Sequence, residues 1–268
     1  MLITIAIIID LLIILFSLKY AWWYPKANMK KTRIMMYHMI SDQLAKGKKS
    51  GLRVSPEMFE RQLKYFKENG WKFIKMSELK NHENENKVVA ITFDDGYLDN
   101  YSQALPLLKK YEACATLYLV IDRHQNDWSV KKNPKHNTGV LADEEKLSDN
   151  HIKEMLDSGV FELGGHTITH PYLPNTSIDD KKYEMIECKN ILETTFNTKV
   201  SSFAYPFGIY NAEDVKIIET SNYKSAVTTS EGVANANRPF ELKRIKASGK
   251  DNFFAFKLRV QKGFRGFI

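Results

Sequence analysis

Two rhythms of apolar and polar residues alternate along this chain. Short, nearly unbroken apolar runs take turns with longer stretches in which apolar residues recur every three or four positions. RIMMYHMI (33–40), VVAITF (88–93), CATLYLV (114–120), VFELGGH (160–166), VSSFAYPFG (200–208), YKSAVTT (223–229) and ELKRIKA (241–247) read as strands. Between them, SPEMFERQLKYFKENG (55–70), residues 97–111, LSDNHIKEMLDSG (147–159), DDKKYEMIECKNILETTF (179–196) and NAEDVKIIETS (211–221) read as amphipathic helices. Ser55 caps the first of these, Pro56 occupies its first turn and Gly70 ends it. Runs such as Val88–Val89–Ala90–Ile91 lack the alternation of a half-exposed strand, so they belong in a parallel sheet covered on both faces. Strand–helix alternation with such strands predicts one α/β domain, a parallel sheet or barrel with helices outside.

The first residues break this rhythm. LITIAIIIDLLIILFSL (2–18) is apolar except for Thr4, Asp10 and Ser17, and Tyr20, Trp22, Trp23 and Tyr24 follow as an interfacial belt would. Its 13 Leu, Ile and Phe residues, at roughly −0.3 to −0.6 kcal/mol each, outweigh roughly +3 kcal/mol for Asp10 on the insertion scale. The segment should enter a bilayer. No basic residues precede the run and no small-residue cleavage site follows it, so an uncleaved anchor is expected over residues 1–24, with a cleaved signal as the alternative. Residues 25–32 read as a linker and 33–268 as the folded domain. Lys19, Lys26, Lys30, Lys31 and Arg33 follow the span, which by the positive-inside rule would hold the domain in the cytoplasm.

Hydrophobic residues make up 43% of the chain, enough for one large core. The net charge of +7 sits on scattered lysines, which suits an anionic surface such as a membrane or an acidic wall polymer. No basic helix with interleaved aromatics points to nucleic acid, and a monomer is expected. Cys114 and Cys188 lack metal-ligand spacing and read as buried free thiols. The polar, irregular stretch 122–145, with Trp128, Pro134 and Gly139, reads as a surface excursion near a site. His82, His124, His136 and His151 fall in polar contexts and are expected to be exposed.

Three strand ends carry candidate chemistry. The first delivers Asp94 and Asp95 directly before Gly96. An Asp-Gly turn or a helix cap needs only one of these carboxylates, whereas ligands and catalytic groups of parallel α/β folds collect at this strand end. The second, ELGGHTITHPYL, delivers His166 and His170, whose spacing on a helical turn would face two imidazoles the same way; such a pair also occurs without a metal. Two histidines and one carboxylate make a three-ligand site with an open position, leaving the second carboxylate as a base. The third, FAYPFGIYN, is either a simple turn or a cleft wall that aims a backbone N–H at an oxyanion.

TFDDG (92–96), HTITH (166–170) and YPFG (205–208), in that order and spacing, resemble three motifs of the polysaccharide deacetylases, the NodB-homology enzymes of carbohydrate esterase family 4. The resemblance spans roughly residues 33–246. It implies a distorted (β/α) barrel and metal-dependent removal of N-acetyl groups from a glycan. Carried over, it makes Asp94 the base, Asp95, His166 and His170 the ligands of a divalent metal, most simply Zn²⁺, and the Tyr205–Pro206–Phe207–Gly208 turn the cleft wall, with the Phe207 N–H as oxyanion donor.

Two departures stand out. The Arg that usually opens the third motif and supports the base is here Phe203, and the usual Leu-x-x-His near the C-terminus is missing from LKRIKAS. MMYH (35–38) has the same apolar-x-x-His form on the first strand. A closed barrel sets first and last strands side by side, so His38 can supply the acid, an arrangement similar to the poly-β-1,6-N-acetylglucosamine deacetylases with permuted motif order. The implied substrate is an acetylated exopolysaccharide or cell-wall glycan outside the cytoplasm, which opposes the charge rule above. An O-acetyl esterase and a tethered, catalytically impaired glycan-binding domain are the alternatives.

Overall fold

A computed structural model describes residues 2–42, 51–124, 141 and 143–266. Helix α1 (Leu2–Tyr20) precedes strands β1 (Arg33–Tyr37), β2 (Met39–Ile40) and β3 (Arg53–Val54), then α2 (Pro56–Glu68), β4 (Lys72–Ile74) and β5 (Val88–Asp95). A π-helical turn over Asn100–Ala104 leads into α3 (Leu105–Lys110), followed by β6 (Ala115–Leu119), α4 (Asp149–Asp157) and β7 (Phe161–Gly165). Next come α5 (Ile178–Lys182), a second π turn (Tyr183–Glu187), α6 (Cys188–Phe196), β8 (Ser202–Ala204), α7 (Ala212–Thr220), β9 (Ser225–Glu231), β10 (Leu242–Lys246) and α8 (Phe253–Lys262).

Every pairing between these strands is parallel. The order β1-β10-β9-β8-β7-β6-β5 closes on itself through β1–β5, making the expected barrel from seven strands, while β4 pairs with the first half of β5. Because side chains alternate along a strand, closure sorts them into two cores. Ile34, Val88, Ala90, Tyr118, Ala204, Val227 and Leu242 pack together inside the barrel. Their strand neighbours Met35, Val89, Ile91, Leu117, Phe203 and Ile245 pack outward with Phe59, Leu63, Leu108, Met185 and Leu192 of the helices.

The pattern placed most elements correctly and differed at instructive points. Residues 97–111 are not one helix: Tyr97 bridges to Lys146, and regular winding starts only at the π turn, because Asp95 (φ 79°) and Gly96 (φ 93°) first swing the chain aside. RIMMYHMI breaks at His38 into β1 and β2. The tail, which shows no catalytic motif, forms α8, capped by the Asn252 side chain on the Ala255 N–H. Cys188 is buried as expected, but Cys114 is only half-buried. His124 is exposed, whereas His82 and His151 are half-buried; His151 stacks on Tyr101 and its Nδ1 accepts from the Ser148 N–H. Trp128, Pro134, His136 and Gly139 lie outside the described residues.

Helix α1 stands clear of the barrel with its large apolar side chains exposed, and it is long and apolar enough to cross a membrane. Residues 25–32 lie on the barrel rather than beside it. The Ala27 N–H donates to the Gln261 carbonyl, and the Arg33 guanidinium donates to the carbonyls of Ala27, Asn28 and Lys31.

Candidate active site

The alternation that fills the barrel also selects its chemistry. Ala90, Thr92 and Asp94 share the inward face of β5, so the Asp94 carboxylate ends a column of interior side chains. Asp95 would point the opposite way in an undistorted strand. Its left-handed φ of 79° turns it back, at a cost of roughly 1–3 kcal/mol that the surrounding contacts must hold in place. Both carboxylates thereby open on one cleft.

Asp95 faces two imidazoles. Its Oδ1 lies 3.4 Å from His166 Nε2 and 3.8 Å from His170 Nε2, and one donor atom from each of the three residues lies within 4.8 Å of the others. Zinc bonds of about 2.0–2.2 Å in tetrahedral geometry set ligand atoms about 3.4 Å apart, so the spacing fits a divalent cation. The ring orientation fits too: His166 Nδ1–H donates to the Ala204 carbonyl at 2.7 Å, which reserves Nε2, the nitrogen facing Asp95, as the one that would bind a metal. Among the described residues these are the three His, Cys, Asp or Glu side chains grouped for a metal.

The convergence of the two histidines is not helical. Residues 166–170 form a loop in which Thr167 (φ 69°) and His170 (φ 57°) are left-handed, and the rings meet edge to face at 4.8 Å. Close packing behind the loop requires Gly164, where a Cβ would fall 2.4 Å from the Tyr118 ring.

Arg244, on β10, forms a fork with Asp94 that the sequence reading missed. Its Nη1 donates to Asp94 Oδ1 at 2.7 Å and its Nη2 to Oδ2 at 2.6 Å, while Nε donates to the Thr228 carbonyl at 2.8 Å. Both side chains are withdrawn from solvent, 0% exposed for Arg244 and 3% for Asp94. The support for Asp94 that Phe203 cannot give therefore comes from across the barrel. A readable signal existed: Arg244 is in phase with apolar Leu242, whereas Lys243 points outward.

Electrostatics follow from this geometry. Burial alone would raise the Asp94 pKa, but the charge and hydrogen bonds of Arg244 outweigh it and hold the carboxyl below its usual range. Asp95 is likewise pushed up by burial and brought well below its usual range by the bond to His166 and the nearby imidazoles. Burial and the neighbouring His166 lower His170 to about 3, so it is neutral, as a metal ligand must be.

His38 follows the last residue of β1, where Tyr37 is level with Phe93, so the register carried one step further sets it beside Asp94. On its other side the Ala247 N–H donates to the Met36 carbonyl, which brings the end of LKRIKAS alongside MMYH. Burial lowers the His38 pKa, with Asp95 and Asp94 opposing.

The third loop reaches the same cleft. The Phe207 ring sits 4.3 Å from that of His170, and the residue is left-handed with φ 58°. Tyr205 and Pro206 are buried, Tyr205 donating its hydroxyl to the Phe240 carbonyl and stacking on Tyr210, while Phe207 and Gly208 are half-buried. At Gly208 (φ 65°) a Cβ would fall 1.9 Å from Thr229 Oγ1.

Comparison with known proteins gives a consistent picture. Residues 81–226 match the family model described as polysaccharide deacetylase. The chain is 30% identical over 232 residues to YxkH of Bacillus subtilis, named for polysaccharide deacetylation, covering 84% of this chain and 75% of that one. It is 26% identical over 227 residues to the poly-β-1,6-N-acetyl-D-glucosamine N-deacetylase of Staphylococcus aureus, covering 79% and 72%. The structure of the Streptococcus pyogenes deacetylase PplD, in complex with acetate, superposes with a TM-score of 0.70 at 32% identity, covering 82% of this chain and 93% of that one.

Proposed function

Because the chain belongs to the polysaccharide deacetylase family, we propose that it hydrolyses N-acetyl groups on an N-acetylglucosamine-containing polysaccharide, an exopolysaccharide or a cell-wall glycan. The observation that carries this reading is the Arg244–Asp94 fork beside the Asp95–His166–His170 cluster, with His38 on the adjoining strand end. The similarity to a poly-β-1,6-N-acetyl-D-glucosamine deacetylase supports an N-acetylglucosamine polymer.

An acetamide resists hydrolysis because resonance stabilises it and its amine leaves poorly until protonated. Asp95, His166 and His170 would hold a divalent cation, and their two-nitrogen, one-oxygen donor set suits Zn²⁺. When bound, such an ion supplies Lewis acidity that polarises the acetyl carbonyl and lowers the pKa of water at the site towards ~7. Asp94, kept ionised and oriented by Arg244, takes the proton of the attacking water. The Phe207 N–H, fixed by its left-handed turn, donates to the developing oxyanion. His38, charged as imidazolium, delivers its proton to the departing sugar nitrogen and is left as neutral imidazole. We assign residues 1–24 as a membrane anchor, 25–32 as the connection and 33–268 as the deacetylase domain, which faces outward, where acetylated polysaccharide lies.

The test is acetate release from poly-β-1,6-N-acetylglucosamine oligomers by the full chain, with chelator and with Zn²⁺ restored. Release should require the metal, and Asp94→Asn should lose about 10²–10⁴-fold in kcat. A metal-loaded chain that releases no acetate would refute N-deacetylation of this polymer, and an active Asp94→Asn would refute the base assignment.

A further inference from the structure

The loop bearing His166 and His170 is held by a carboxylate outside the cluster. Its carbonyls face the end of β6, where the Ile121 and Asp122 N–H groups donate to Thr167 and Ile168. Its N–H groups face the other way, onto Glu184. Glu184 Oε2 accepts from the Ile168 N–H at 2.8 Å and the Thr169 N–H at 2.9 Å, and Oε1 accepts from the Thr169 hydroxyl at 2.5 Å. Glu184 is only 7% exposed and lies in the π turn Tyr183–Glu187, which widens the helix beneath the loop.

Within the loop itself, the His170 N–H donates to Thr167 Oγ1 at 3.0 Å. That bond spans two left-handed, non-glycine residues, a conformation that persists only where contacts impose it. Glu184 takes the two N–H groups between those residues. Without its carboxylate, two buried donors and a hydroxyl lose their acceptor, and the least costly relief is for Thr167 and His170 to leave the left-handed region. His170 Nε2 would then swing away from Asp95.

We propose that Glu184 is a positioning residue that sets the metal affinity of the site through the loop. This rests on the reading of Asp95, His166 and His170 as metal ligands. It requires no particular substrate.

The experiment is Zn²⁺ binding by the full chain in detergent, measured by competition with a chromogenic chelator, together with the visible absorption of the Co²⁺-loaded protein. Glu184→Ala should weaken Zn²⁺ binding about 10–100-fold, the range for lost outer-shell partners, and change the Co²⁺ band. Glu184→Gln keeps an oxygen for the two N–H groups and should bind within about 3-fold of the parent. Asp214→Asn is the structural control: it breaks the buried Lys181–Asp214 pair, at 2.8 Å, and should leave affinity unchanged. A folded Glu184→Ala with parental affinity and spectrum overturns the proposal. If that variant does not fold, Glu184→Asp decides instead, since its shorter carboxylate cannot reach both N–H groups, and parental affinity there overturns it equally. A parent chain that binds no metal removes the ligand assignment itself, and this inference with it.

Discussion

Replacing Arg244 by Met removes the guanidinium while keeping an unbranched side chain inside the barrel. Asp94 then loses two charge-assisted hydrogen bonds at a position where its side chain is 3% exposed, so water cannot replace them. Breaking a buried ion pair from one side costs about 3–5 kcal/mol, because the other charge stays buried alone. For a chain of this size that lowers Tm by about 10 °C. Asp94→Asn strands the guanidinium in turn. The double variant buries neither charge, so it should be more stable than the summed single losses by about 2–3 kcal/mol. Urea denaturation of the four metal-free proteins, followed by tryptophan fluorescence, measures this coupling. The same fork orients the base, so Arg244→Met should also reduce kcat at least about 10²-fold. Arg244→Lys, which restores charge without the planar fork, should recover only part of that loss. Additive single losses, or an unchanged midpoint for Arg244→Met, would refute the reasoning.

Two further outcomes are expected. Asp99 is raised to about 6, chiefly by burial, so the folded state holds its proton more tightly than the unfolded chain; the resulting stability is full below about pH 4 and lost as pH rises through 6. Asp99→Asn should therefore match the parent at pH 4 and exceed it at pH 8 by up to about 3 kcal/mol, with equal unfolding midpoints at pH 8 as the contrary result. Alkaline carbonate washing should leave the chain in the membrane fraction with residues 1–24 intact and the domain open to protease added from outside; a product beginning near Ala21 would instead mark α1 as a cleaved signal.

Strand–helix alternation, the apolar N-terminal helix and the placement of Asp95 and of the His166–His170 pair at strand ends were legible because each depends on local periodicity and on residues close in sequence. The boundaries at His38 and Tyr97 were not, since a tertiary constraint at each overrides propensity. The convergence of His166 and His170 was anticipated, but on a helical turn; the loop achieves it with left-handed residues that no spacing rule signals.

By itself, then, the sequence determined the fold class and which strand ends carry chemistry, because side-chain periodicity and strand-end glycines are local properties. Only the tertiary structure decided what supports them. Barrel closure brings β10 against β1 and lets Arg244 reach Asp94 across 150 positions of chain. The helix packed under β7 brings Glu184 to the histidine loop. Both are buried charges whose meaning lies in their partner, and the partner is set by where the sheet closes and which face each strand turns inward.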